Sequence, residues 1–228
     1  GFLGPNGAGK TTTVKMATGM IRPTSGTALI EGHDITKDPI EAKRRIGVVP
    51  ETGALYENLP AREYLTLVGR LYHVPPRDAA GKIATFLRLF EIADVQDRVM
   101  SSYSKGMKQR VLISAALIHN PSVLFLDEPL SGLDANTALV LKELLRELAS
   151  QGKTIFYCSH VLEVVEKVCH RVVILNRGEV IADGNVEELK HLTKQGSLEE
   201  VFSELTSAGD LAEIVRAFSE SVRRGEGS

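Results

Sequence analysis

Cysteine is scarce in this chain: two among 228 residues, Cys158 and Cys169, both in apolar stretches that read as buried. That excludes a disulfide scaffold and points to a reducing cytosol. An excess of charge is also missing, with 27 Lys and Arg against 29 Asp and Glu and a formal net charge of −2. Such a balance leaves no basic footprint for nucleic acid, and clusters such as Lys43-Arg44-Arg45 read as solvated helix surface. Long apolar runs are absent too. The longest uncharged stretch, Val111 to Leu126, is broken by His119-Asn120-Pro121 and is shorter than the roughly 20 residues a spanning helix needs. No signal peptide is visible. If the protein works at a membrane, another subunit has to supply the span. What remains is 43% apolar content, enough to bury the core of one domain, or of one domain and a subdomain.

The chain opens on Gly4-Pro5-Asn6-Gly7-Ala8-Gly9-Lys10-Thr11, a full match to G-x-x-x-x-G-K-[ST]. Glycines let backbone N–H groups curl around an anion and tolerate the left-handed turns this requires. Asn6 to Gly9 form the cradle, Lys10 supplies a point charge for β- and γ-phosphates, and the Thr11 hydroxyl is placed to ligate Mg²⁺. Thr12 follows in the first turn of a helix expected over Thr11 to Met20, whose dipole favours the same phosphates. Phe2-Leu3 reads as the strand that leads in. The competing interpretation is a glycine-rich turn that happens to carry Lys-Thr.

Thr27 to Ile30 and Ile46 to Val49 read as short strands. From Leu59 to Asn120 strand signals vanish, and Ala61 to Tyr72, Arg77 to Phe90 and Ser104 to His119 carry apolar residues at helical spacing. That block is expected as a helical insertion between halves of an α/β core. Val123 to Leu126 is a continuous apolar run, as in a parallel strand buried on both faces. A helix over Ala135 to Ser150, a strand over Thr154 to Cys158, a helix over Val161 to Cys169 and a strand over Arg171 to Leu175 follow. Asn176-Arg177-Gly178 turns a hairpin into Glu179 to Ala182. This alternation predicts a mostly parallel sheet flanked by helices. Residues 197 to 228 read as two amphipathic segments and a polar tail.

Asp127 and Glu128 stand where the buried strand ends, the edge at which open α/β sheets bind ligands. Paired buried acids are costly without a cation or a proton-handling role. Asp127 is placed to hold Mg²⁺, directly or through water, and Glu128 to orient or deprotonate a water attacking a γ-phosphate. An Asp-Glu-Pro helix cap is the plainer alternative.

With the phosphate loop and the acid pair in view, the chain resembles the nucleotide-binding subunit of an ATP-binding cassette (ABC) transporter up to about residue 192. The motifs run in order: Gly4 to Thr12, the glutamine-loop position at Glu51, the signature Tyr103-Ser104-Lys105-Gly106-Met107, Asp127-Glu128, Ser131-Gly132-Leu133-Asp134, and the switch histidine His160. The resemblance implies a P-loop NTPase (RecA-like) α/β core over residues 1–192, a helical subdomain over about 59–120, and a C-terminal extension over 193–228. It implies ATP and Mg²⁺ as cofactors, Glu128 and His160 as catalytic residues, and Thr11, Asp127 and Glu51 around the metal. Ser104 and Gly106 would meet nucleotide held by a second ATP-binding subunit, in a head-to-tail pair, and Asp134 is implied as a further nucleotide-binding residue. Taken alone, Ser104 is equally a helix cap and His160 equally a structural histidine.

Two departures narrow the branch. Lys105 and Met107 replace a glycine and a glutamine in the signature, and Glu51 stands where glutamine is usual, which puts its role at the metal in question. The run Tyr103 to Arg110, with Ser197 to Phe202, resembles drug-resistance-type exporters, whose ATPases pair with separate six-helix permeases at the cytoplasmic face of the membrane. Family members also carry upstream strands and an adenine-stacking aromatic residue. Neither lies in this sequence, so a truncated start is expected. The rival functions are a soluble ABC-type ATPase acting on ribosomes or DNA, and a regulatory ATP-binding module without turnover.

Overall fold

The computed structural model describes residues 1–52, 55–193 and 195–206. The first strand, β1 (Phe2–Leu3), runs through the phosphate loop into α1 (Lys10–Ala17). The helix stops three residues short of the expected Met20, because Gly19 takes up a left-handed turn (φ 67°) that an L side chain rarely adopts. A small antiparallel hairpin follows, β2 (Leu29–Ile30) and β3 (His33–Asp34), turned by Glu31 and Gly32, both at positive φ. Next comes α2 (Pro39–Arg44), with proline at the position that lacks nothing by losing its N–H. Neither β3 nor α2 is expected from the sequence. The basic cluster at the end of α2 is paired, Arg44 with Glu41 and Arg45 with both Glu41 and Glu31.

After β4 (Ile46–Val49) the chain forms α3 (Ala61–Leu71), α4 (Pro76–Leu89) and α5 (Lys105–Leu117) before returning to the sheet as β5 (Val123–Asp127). The helices α3 and α4 bury one stripe each, whereas α5 buries Gln109, Val111 and every residue from Ile113 to Leu117. Such a helix is wrapped by neighbours on all sides. Then come α6 (Ala135–Ser150), β6 (Thr154–Cys158), α7 (Leu162–Val168), β7 (Arg171–Asn176) and β8 (Glu179–Asn185).

The six-stranded sheet has the order β4-β5-β6-β1-β7-β8, parallel except for β8, which pairs antiparallel with β7. Successive residues of β5 face opposite sides, so Leu124 and Leu126 join the large core under the helices while Phe125 joins a second core with Phe2, Val14 and Ile46. Phe156 bridges Phe2 and Phe125 on that second face, with ring centroids 4.8 and 5.2 Å away. Cys158 is fully buried, but Cys169 is only half-buried, contrary to the sequence expectation. Two further helices, α8 (Val186–Thr193) and α9 (Leu198–Thr206), are tied to α7 through Glu166, which pairs with Lys190 and accepts from the Leu198 N–H. The second amphipathic segment and polar tail expected toward residue 228 lie outside the described residues.

Candidate functional site

The phosphate loop is tight by construction. A Cβ on Gly4 would lie 2.4 Å from the Leu175 carbonyl oxygen, so only glycine lets the loop pass β7. Gly7 and Gly9 have φ of 79° and 106°, and Gly9 heads α1 without any side chain capping its N–H groups. An uncapped N-terminus facing a cavity is suited to an anion. Ala8 is the exception among the cradle residues. It is buried beneath the loop, its N–H donates to the Pro5 carbonyl at 3.1 Å and its carbonyl accepts from Gly178 at 2.9 Å. Lys10 Nζ is drawn back over the loop, donating to the carbonyls of Gly4 (2.6 Å) and Pro5 (3.1 Å).

The sheet delivers the acids to the same place. Thr11 Oγ1 donates to Asp127 Oδ2 at 3.2 Å. Burial of Asp127 raises its carboxyl above the usual range, Thr11 works against that rise, and the charges of Glu51 and Glu128 add to it. A desolvated acid held near two others is a natural seat for a cation. Glu128 adopts a left-handed backbone (φ 49°), uncommon for a residue with a side chain. Its N–H donates to the Cys158 carbonyl. Its Oε1 accepts from both the N–H and Nδ1 of His160, each at 2.7 Å, and its Oε2 accepts from Ser159 Oγ at 3.1 Å. Neither acid caps a helix. That task falls to Asp134, at the start of α6.

Asn6, Gly7, Gly9, Lys10, Thr11 and Thr12 thus share one cavity of about 240 Å³ with Glu51, Asp127, Glu128 and His160. A larger cavity of about 720 Å³ opens beside Gly1 between β6 and β7, but no carboxylate lines it. Size is therefore no guide to the chemistry here. Among the described residues no cluster of three His, Cys, Asp or Glu could hold a metal unaided. Thr11 and Asp127 nonetheless fit Mg²⁺, which is commonly held by one or two protein oxygens together with substrate phosphates.

Ser104, Gly106 and Asp134 stand outside this cavity. Ser104 caps α5, its Oγ accepting from the Met107 N–H at 3.2 Å. A Cβ on Gly106 would lie 2.4 Å from the Gly132 carbonyl oxygen, so the space this glycine leaves is filled by its own chain. Asp134 accepts from the N–H (3.0 Å) and hydroxyl (2.7 Å) of Thr137 and pairs with Arg110. Gln109 donates to the Pro129 carbonyl and Lys105 to the Ser131 hydroxyl. Sequence reading missed Ser159, Gln109 and Arg110. Only Ser159 carried a signal, its place beside His160.

A phosphate loop running from β1 into a helix, with an acid pair at the end of the parallel strand β5 one strand further across the sheet, defines a P-loop NTPase α/β fold. Residues 1–131 match the ABC transporter family. The chain is 37% identical over 190 residues to the daunorubicin/doxorubicin resistance ATP-binding protein DrrA of Streptomyces peucetius, a match covering 83% of this chain and 58% of that protein. Across other bacterial relatives the chain spans from 53% to 82% of their length. A solved structure of the ATP-binding subunit of an ABC transporter shares 33% identity with a TM-score of 0.86, covering 90% of this chain and 87% of that one. The dimeric structure of an ATP-binding cassette in a post-hydrolysis state, bound to ADP and Pi, shares 26% identity with a TM-score of 0.72, covering 81% and 83%. The chain belongs to the ABC transporter family.

Proposed function

We propose that this chain is the ATP-hydrolysing subunit of an exporter of the drug-resistance type, working in a pair at the cytoplasmic face of a membrane beneath a separate permease. The observation that carries the hydrolytic reading is Glu128, whose carboxylate is pinned by His160 and Ser159 beside the phosphate loop. No described helix is long and apolar enough to cross a membrane, in keeping with a permease partner. The likeness to DrrA supports the branch, and the likeness to a dimeric cassette supports pairing.

In this reading Gly7, Gly9 and the start of α1 receive the phosphates while Lys10 turns from the loop carbonyls to neutralise β- and γ-oxygens. Asn6 and Thr12 border the same phosphates. Thr11 and Asp127 would hold Mg²⁺, which when bound would supply Lewis-acid stabilisation of the phosphoryl group. Glu51 lines the same cavity and its charge raises Asp127, so it would add to the negative field facing the ion. Glu128 orients and deprotonates the attacking water, and His160 bonds the γ-phosphate. Ser104 and Gly106 of a second copy close over that phosphate, with the loop ending at Asp134 along the seam.

Glu128→Gln deletes the base but keeps a hydrogen-bonding side chain of similar size. Steady-state phosphate release should fall roughly 10²- to 10⁴-fold while ATP binding persists. A variant retaining half the wild-type rate removes the assignment.

A further inference from the structure

Glu128 is held by two side chains that differ in freedom. The His160 side chain is 75% exposed, whereas Ser159 is 4% exposed. Ser159 Oγ accepts from the Val161 N–H at 3.1 Å, which engages a lone pair and leaves its O–H to point elsewhere. The O–H points at Glu128 Oε2, 3.1 Å away. The hydroxyl is therefore oriented by backbone on one side and spends its single donor on the carboxylate on the other.

We propose that Ser159 is a positioning residue for hydrolysis, the fixed donor that keeps the Glu128 carboxylate aimed when His160 leaves it for the γ-phosphate. The inference rests on Glu128 being the base and His160 the γ-phosphate ligand. Oε1 takes both of its hydrogen bonds from His160, so turning the ring toward phosphate removes one of them. Ser159 is then the remaining side-chain donor of the three contacts described here. The left-handed backbone at Glu128 cannot hold the side-chain torsions by itself, and a carboxylate released at Oε2 keeps only the His160 N–H on Oε1 and can swing about that single bond. A buried serine cannot follow a moving histidine, which suits it to this task.

The test uses the full chain and three variants, measured for steady-state phosphate release, ATP affinity and thermal unfolding. Ser159→Ala should lower kcat about tenfold, the effect of one hydrogen bond to a charged group. KM and ATP affinity should stay within about twofold, since the hydroxyl donates to the base and not to nucleotide. Ser159→Thr restores the hydroxyl and should recover most of the lost rate. A Ser159→Ala enzyme with more than half the wild-type kcat overturns the proposal. So does a loss of ATP affinity as large as the loss of kcat, or a Ser159→Thr enzyme that folds and binds ATP yet stays as slow as the alanine variant. Glu128→Gln run in parallel separates the failures. If it keeps half its rate, the assignment of the base has failed and this inference with it. If it is inactive while Ser159→Ala is fully active, only the role of Ser159 is wrong.

Discussion

The loop before α1 and the turn before α5 both place glycine at a helix start, yet the two N-termini are finished differently. Gly9 leaves α1 without a side-chain cap, and Asn6 to Thr12 open onto a cavity shared with three acids and His160, Ala8 alone excepted. The start of α5 is capped and braced by its own chain. Ser104 caps it, Gly106 packs on the Gly132 carbonyl, Gln109 holds Pro129, and Arg110 bridges the Phe90 carbonyl and Asp134. One N-terminus is left without a side-chain cap over a cavity, and the other is braced as what we propose to be a presenting surface. Ser104 shows the consequence. Its oxygen already accepts from Met107, so its O–H is what it can offer to another molecule, and no phosphate-loop residue of its own chain shares a cavity with it.

Ser104→Arg tests this contrast with the largest expected effect. The added bulk and charge fall on the presenting surface, so hydrolysis should drop by roughly 10²-fold or more, as when a transition-state donor is lost. ATP binding by the single chain should survive, because Gly4 to Thr12 and Asp127 are untouched. Mixing this variant with Lys10→Ala places both lesions on one composite site and leaves the other intact in a head-to-tail pair. Partial recovery of phosphate release on mixing is the expected result. Loss of ATP binding by the isolated Ser104→Arg chain would mean that Ser104 serves its own site, and the contrast would collapse.

Lys10→Ala probes the open half alone. Removing the ammonium should cost triphosphate affinity roughly 10- to 100-fold, the scale of lost bonds to a charged group, and adenosine affinity much less. The lysine also braces the loop through the Gly4 and Pro5 carbonyls. Comparable losses for ATP and adenosine by titration would therefore indicate a collapsed loop and not a missing charge.

How much of this was readable before the structure depended on whether a feature is local in sequence. The phosphate loop, the acid pair and the apolar strand before it are contiguous, and they form as written. The hairpin at Arg177-Gly178 is legible because Asn176 adds a turn signal, whereas Glu31-Gly32 makes a similar turn with a poorer one. The helix α2 is six residues long, too short for periodicity to show. At Gly106 the sequence suggests room for an anion, and it does not reveal that the Gly132 carbonyl, 26 residues later in the chain, also demands a glycine there. Ser159 to Glu128 and Arg110 to Asp134 are likewise tertiary contacts. Glu128 and Asp134 stand out in the sequence, but their partners Ser159 and Arg110 acquire these roles only when the sheet brings β5 beside β6 or α5 beside the loop before α6.

The smallest expected effect concerns how firmly the braced half is fastened. Two hydrogen bonds from Thr137, backbone first, and then the charge of Arg110 hold the Asp134 carboxyl down at about 2. A carboxyl lowered on folding contributes stability that is fully present above its unfolded value of 3.8 and lost as pH falls through the folded one. Asp134→Asn keeps an effective helix cap but removes the charge that Arg110 pairs with. The wild type should therefore unfold about 1–3 °C higher than the variant at pH 7, as expected for an exposed pair in a domain of this size. The gap should narrow as pH drops from 4 toward 2, because protonation of Asp134 makes the wild type resemble the variant. Calorimetric scans at several pH values would read it. An equal Tm at neutral pH would show that the Arg110 pair adds nothing, leaving Gly106 and Gln109 to hold α5 against the loop that follows the acids.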